Sequence, residues 1–292
     1  MKHYKGSIIL FCLLTLTFSS CEKELNTEVI VNPKLCFNCI LNPDSIIHGS
    51  LTLSQSISEN KPLKKINDAI IEINKDGQIV DTMHNTGNGI YHLNIKPSSG
   101  SLYKIRIILK EFPVLTASTT IPGKPVVTFQ KGDPELQIIN EYYSYSTYRT
   151  TYTIHDKPET NRYWQYKLIL TNGIWRFGGG YYDIDSPIFD DFNKVTDATD
   201  KYGFHYEYYL RVKDTGFDGQ LLTYSQTSFL TDQEIIYFLD TDEHYDKYLK
   251  STIKQRMNDG DNLLFNEPIQ IYSNIENGLG IFGSVAITSF KL

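Results

Sequence analysis

KLCFNCILNP, residues 34–43, is the stretch on which the reading of the fold turns. It places Cys36 and Cys39 at the Cys-x-x-Cys spacing of redox motifs and of half a zinc site. The flanking residues argue otherwise. Leu35, Phe37, Cys39 and Leu41 fall on one side of a two-residue alternation, and Cys36, Asn38 and Ile40 on the other. That is a strand, closed by the turn formers Asn42-Pro-Asp-Ser45. Residues three apart in a strand point to opposite faces with Cα atoms roughly 10 Å apart. A disulfide needs them within about 7 Å. No helix follows whose N-terminus would acidify Cys36. Zinc needs two more ligands, and the chain has no second Cys pair and seven scattered His. The expectation is a strand with Cys39 facing a core among Leu35, Phe37 and Leu41.

Upstream lies a different kind of segment. Met1-Lys-His-Tyr-Lys5 is basic, Ile8 to Phe18 is apolar, and Ser19-Ser20 precede Cys21. Residues 1–20 read as a secretory signal, too short to span a membrane. A Cys directly after small residues resembles a bacterial lipobox, whose thiol is acylated and becomes the new N-terminus. Cys21 is therefore the expected lipidation site and residues 21–33 the tether, the alternative being an ordinary signal with an incidental Cys. Glu22-Lys-Glu24 and Asn26-Thr-Glu28 resemble the surface-export signal of Bacteroidota lipoproteins. The expected location is the outer membrane, lipid-anchored and exposed at the cell surface.

Composition bounds the rest. The 292 residues are 40% hydrophobic and 13% aromatic, enough for two folded domains. A formal charge of −6 with no basic cluster argues against nucleic acid as a partner.

Downstream of the opening strand, Lys34 to Pro122 alternates strand and turn. The segments 46–57, 68–73, 78–83, 90–95, 102–109 and 114–121 read as strands. Asn74-Lys-Asp-Gly77 and Thr86-Gly-Asn-Gly89 are hairpin turns. With the opening strand this predicts an N-terminal β-sandwich over residues 34–122, which resembles transthyretin-like or Ig-like modules. Pro122-Gly-Lys-Pro125 marks a junction. Residues 126–292 then form a larger, aromatic-rich β domain, so the fold class is all-β. Gln137 to His155 reads as one long strand or a hairpin, with Arg162 to Leu170 pairing against it. Residues 204–213, 220–230, 235–239, 268–275 and 281–290 read as further strands. One helix is expected, capped by Asp242 and carrying Tyr245, Tyr248, Leu249 and Ile253 on one face.

Tyr245-Asp-Lys-Tyr-Leu-Lys250 and Asn266-Glu-Pro-Ile-Gln-Ile-Tyr-Ser-Asn-Ile-Glu-Asn-Gly-Leu-Gly-Ile-Phe-Gly283 resemble the C-terminal signature of a Bacteroidota outer-membrane lipoprotein family of unknown function, domain-of-unknown-function family 4249. Asn67-Asp-Ala, residues 156–163 and Asp214-Thr-Gly-Phe-Asp-Gly219 resemble it too. The resemblance covers essentially the whole mature chain and brings no catalytic residues. It implies a surface accessory lipoprotein, because members are often encoded beside TonB-dependent transporters. The family usually has small or branched apolar residues at the two Cys positions, which speaks against a thiol function.

Among candidate sites, the aromatic residues Tyr142, Tyr143, Tyr145, Trp164, Trp175, Tyr181 and Tyr182 suggest a binding face for a sugar, peptide or protein partner. Strand packing explains the same tyrosines equally well. Asp183, Asp185, Asp190 and Asp191 could hold Ca²⁺, although they lack EF-hand spacing and acidic loops are usually only solvated. Asp214, Asp218 and Gly219 read first as a backbone turn and second as another such loop. No other cofactor is expected. No nucleophile-elbow, zincin or phosphate-loop motif is present. The expected function is a non-catalytic accessory or ligand-binding partner of an outer-membrane TonB-dependent transporter. The rivals are a glycan or peptide hydrolase using acidic residues of the second domain, and a structural or adhesive envelope lipoprotein.

Overall fold

The computed structural model describes residues 32–56, 59, 61–183, 185–196, 209–214, 216–231, 233–260 and 269–292. The signal segment and Cys21 lie outside the described residues. Residues 33–54 and 61–292 form one compact unit, to which all the described strands and helices belong.

Its architecture is all-β, in three sheets. The largest has the order β13 (Ile174–Phe177), β12 (Tyr163–Thr171), β16 (Gln233–Thr241), β17 (Leu279–Lys291), β1 (Leu35–Leu41), β2 (Ile47–Leu53), β6 (Ile90–Leu93) and β5 (His84–Gly87), with β14 (Leu210–Val212) also on β12. A second sheet runs β4 (Gln78–Thr82), β3 (Ile70–Lys75), β7 (Leu102–Ile108), β8 (Leu115–Thr120). The third centres on β11 (Tyr143–His155), which takes β15 (Leu221–Phe229) on one side and β9 (Val126–Lys131) and β10 (Glu135–Asn140) on the other. Two helices are described, α1 (Phe192–Thr196) and α2 (Glu243–Gly260).

The opening stretch is β1, and its alternation is the observed one. Leu35, Phe37, Cys39 and Leu41 are buried while Cys36, Asn38 and Ile40 are half-buried. Both thiols are free, and burial pushes the Cys39 thiol up to about 12, so it is an inert core residue. The N-terminal core joins these side chains to Ile47, Leu51, Tyr91 and Leu93 of the large sheet and to Ile71, Ile73, Tyr103, Ile105 and Ile107 of the second sheet. The Asn74–Gly77 hairpin forms as read, with Asp76 at φ 50° and Gly77 at φ 92°.

The predicted boundary at 122–125 does not divide the sheets. β1 pairs in parallel with β17, Cys36 opposite Leu279 through Leu41 opposite Ser284, so one sheet continues from residue 35 to residue 291. Along the 13 residues of β17, Phe282 joins the N-terminal core and Phe290 packs against the core beneath the third sheet. Val285 and Ile287 point the other way, to Leu249 and Ile253 of α2. The second and third sheets thus lie side by side on one face of the large sheet, and α2 covers the opposite face. One polar node ties these layers. Asp242 caps α2 through Tyr245 N (2.9 Å), accepts from Ser284 N (3.1 Å), and accepts from Thr119 Oγ1 of β8 at 2.7 Å.

Two strand expectations need correction. Arg162 to Leu170 does not pair with 137–155. β12 pairs with β13, β14 and β16, and its Tyr163 packs from the large sheet into the same core as Tyr152 of β11. Two strands that bury side chains against each other across a sandwich cannot also share a ladder. The 137–155 segment is the hairpin β10–β11. Residues 269–275 are not a strand. There the Asn274 side chain replaces a ladder, accepting from Phe282 N at 2.9 Å and donating to Phe282 O at 2.8 Å.

The parallel pairing depends on a residue without a side chain. Gly280, opposite Phe37, has φ +108°, and a Cβ there would overlap the Phe37 carbonyl. Gly280→Ala is expected to lower unfolding stability by about 2–4 kcal/mol in urea titration followed by circular dichroism. An unchanged midpoint would show that this close approach does not constrain the pairing.

Candidate functional site

The third sheet carries the predicted aromatic face. On β11 the even positions Tyr148, Thr150, Tyr152 and Ile154 turn inward and are buried. Tyr145, Arg149, Thr151 and Thr153 alternate with them on the outer face. β15 follows the same rule, with Thr223, Ser225, Thr227 and Phe229 outward. Cross-strand hydroxyl pairs line this face, Thr151–Ser225 at 2.8 Å and Thr153–Thr223 at 3.0 Å. At one end stands an aromatic group, with Tyr145 edge-on to Phe229 at 5.0 Å and Tyr181 edge-on to Phe229 at 6.1 Å. Tyr181 is held at the margin of β15 by two backbone bonds to Thr227, 2.7 and 2.8 Å. A cavity of about 340 Å³ opens beside it, lined by Arg149, Tyr181, Tyr182, Asp183, Thr223 and Thr227 among others. Tyr142, at the tip of the β10–β11 hairpin, is 89% exposed. Aromatic rings, hydroxyls and one guanidinium on a flat face suit stacking and hydrogen bonding to a sugar or an extended peptide.

Two predicted aromatics do not belong here. Trp164 is fully buried under α2, its Nε1 donating to Asp246 Oδ1 at 2.9 Å and its ring edge-on to Phe192 at 5.7 Å. Arg211 Nε reaches the same Asp246 oxygen at 2.7 Å, so this tryptophan anchors a buried ion pair rather than a ligand. Trp175 is exposed on β13, at the end of the large sheet. Tyr143 starts β11, and Tyr182 packs edge-on to Phe189 at 5.3 Å.

Among the described residues the acidic loop does not bring three carboxylates together. Asp190 caps α1 by accepting from Phe192 N at 2.9 Å and pairs with Lys250 at 3.0 Å. Asp185 pairs with Lys194 at 2.9 Å, and Asp183 accepts from Asp185 N at 3.1 Å. Asp191 is exposed. Lysines and backbone amides thus engage both oxygens of Asp190 and one each of Asp183 and Asp185.

Beneath the outer face lies a polar layer that no motif announced. Lys167 Nζ donates to Ser228 Oγ, the Tyr148 hydroxyl faces Glu234, and Tyr224 Oη donates to Gln165 Oε1 at 2.5 Å. All six side chains are buried. The Gly178-Gly-Gly180 run crosses this layer because a Cβ at Gly178 would strike Ile169 and Lys167, and one at Gly180 would strike Gln226. A second cleft of about 470 Å³ was also unannounced. It gathers Thr119 and Thr120, Asn161 and Arg162, and Asp240 to His244 from three distant segments. Burial pushes the Asp240 carboxyl there up to about 6.

Burial brings Lys167 down to about 8, against an ordinary value of 10.5. From about pH 8 the unfolded chain keeps a Lys167 proton that the folded chain has lost, so stability should rise with pH. The rise should stop near pH 9, because burial holds the folded Cys39 thiol at about 12 and the unfolded thiol ionises first. Above about pH 10 stability should fall, because burial raises Tyr148, Tyr152 and Tyr163 and the unfolded phenols also ionise first. Urea midpoints measured across this range should peak near pH 9, and Lys167→Met should abolish the rise. A wild-type midpoint that falls steadily from pH 8 would contradict this.

The family model described as Domain of unknown function (DUF4249) matches residues 22–291. No curated protein matches the chain. Among solved structures, the crystal structure of a Salmonella alpha-2-macroglobulin mutant aligns at 12% identity and a TM-score of 0.25, over 73% of this chain and 14% of that one. A likeness that weak carries no argument. The family match runs across both cores and α2, in line with the resemblance carried by residues 245–283, and the chain belongs to the DUF4249 family.

Proposed function

We propose that this chain is a lipid-anchored, non-catalytic binding protein of the outer cell surface, accessory to an outer-membrane TonB-dependent transporter. The observation that carries this reading is the margin of the third sheet. Among the described residues β10 has a strand neighbour, β11, on one side only. Its Leu136 and Ile138 are 63% and 72% exposed, and Tyr142 projects from the adjoining tip. An apolar edge of this kind invites aggregation unless a partner covers it, and strand addition is the simplest cover. The hydroxyl-lined face beside it supplies the ligand-contacting surface. The basic and apolar residues 1–20 followed by Cys21 support the anchor.

The test is co-purification of the tagged, full-length lipoprotein from outer membranes of its own host, solubilised in mild detergent. A TonB-dependent transporter should elute with the wild type. A Leu136→Glu/Ile138→Glu variant, still folded by circular dichroism, should lose it at least tenfold. Wild type eluting without any transporter would sink the accessory reading, and undiminished capture by the variant would exclude the β10 edge.

A further inference from the structure

Away from the aromatic face, the ligand oxygens of Asp156, Asp214 and Asp218 all lie within 4.8 Å of one another. Asp156 begins the β11–β12 connection, and Asp214 and Asp218 belong to the β14–β15 connection. Backbone bonds lock these loops together. Asp156 N donates to Gln220 O at 3.1 Å, and Phe217 N donates to Asp214 O at 2.8 Å. Gly219 N donates to Asp156 Oδ2 at 2.8 Å, and Asn161 N donates to Asp214 Oδ2 at 2.7 Å. Gly216 and Gly219, at φ +90° and +71°, let the turn fold this tightly.

Each of the two inner carboxylates has thereby used one oxygen. The other, Oδ1 of Asp156 and Oδ1 of Asp214, is enclosed with no hydrogen-bond partner. Asp214 is only 3% exposed, so this oxygen is cut off from bulk solvent. A buried carboxylate oxygen without a donor is costly, and two facing each other are costlier. None of the ion pairs among the described residues involves any of the three. Burial, and then the Asp156 charge, push the Asp214 carboxyl up to about 6. The geometry is a convergent set of oxygen ligands whose compensating cation is not a side chain.

We propose that Asp156, Asp214 and Asp218 form a binding site for a divalent cation of the calcium type. The orphaned Oδ1 atoms of Asp156 and Asp214 are its inner ligands, and exposed Asp218 closes it from the solvent side. Carboxylates alone select a hard, oxygen-seeking ion over zinc or copper. Bound there, the ion pins the β14–β15 turn onto the β11–β12 connection, at the rim where the third sheet meets the large one. This set is distinct from the acidic loop at 183–191, where Asp185 and Asp190 pair with lysines.

Tyr163 supplies a probe, because its hydroxyl sits beside Asp156. Terbium should therefore luminesce on tyrosine excitation when added to the metal-free protein, and calcium should compete it away. Calcium at 100 times its dissociation constant should raise Tm by about 5 °C over EDTA. Asp218→Asn, on the surface, should retain the EDTA Tm and lose the calcium shift. An Asp183→Asn/Asp185→Asn variant should keep the shift in full. No shift in the wild type up to about 10 mM calcium, or an equal shift in Asp218→Asn, would overturn the site.

Discussion

The parallel pairing of β1 with β17 is the constraint on which the rest of the molecule depends. Parallel neighbours need a long connection between them, and here that connection is nearly the whole chain. The cost is loop-closure entropy, which grows only slowly with length. In exchange β17 lies under both upper sheets at once, carrying Phe282 into one core and Phe290 against the other. The requirement for Gly280 stems from its close approach to Phe37 on the paired strand, and the Asp242–Thr119–Ser284 node from the closeness of the layers.

That frame explains why the candidate face sits where it does. β11 and β15 turn aromatic and polar residues alternately inward and outward. The inward set meets Lys167, Gln165 and Glu234 of the large sheet. A polar layer inside a sandwich fixes register, since a slip of one residue would strand each buried group without its partner. Register inside sets position outside. Tyr145, Phe229 and Tyr181 converge at one end of the sheet because Tyr148, Gln226 and Ser228 are held beneath it. α2 has a separate task. It covers the opposite face and is secured by Asp246, which takes Trp164 and Arg211 on one oxygen and Lys250 on the other.

Local signals were legible where chemistry is local. The alternation of residues 35–41, the Asn74–Gly77 turn and the Asp242 cap each rest on a few adjacent residues, and each forms as read. What lay hidden depends on partners distant in sequence. Nothing near Leu279 says that its strand will lie beside Cys36. Trp164 and Tyr181 look alike as aromatics near an acidic loop, yet one is sealed under a helix and the other borders a cavity. Of the four aspartates close in sequence at 183–191, Asp185 and Asp190 are taken up by lysines, whereas Asp156 and Asp214, 58 positions apart, converge. Residues 137–155 and 162–170 suggested a hairpin because they are neighbours in the chain, and packing across the sandwich separated them.

A chain whose halves share one sheet unfolds as a unit. Trp164 and Trp175 both lie in the C-terminal half, and Cys39 is sealed in the N-terminal core, so each half has its own reporter. Urea unfolding of residues 22–292 in a Cys36→Ser background, followed by tryptophan fluorescence and by thiol labelling of Cys39, compares them directly. Coincident midpoints are the predicted result. A Cys39 that becomes reactive while tryptophan fluorescence stays native, or the reverse, would contradict the continuous sheet.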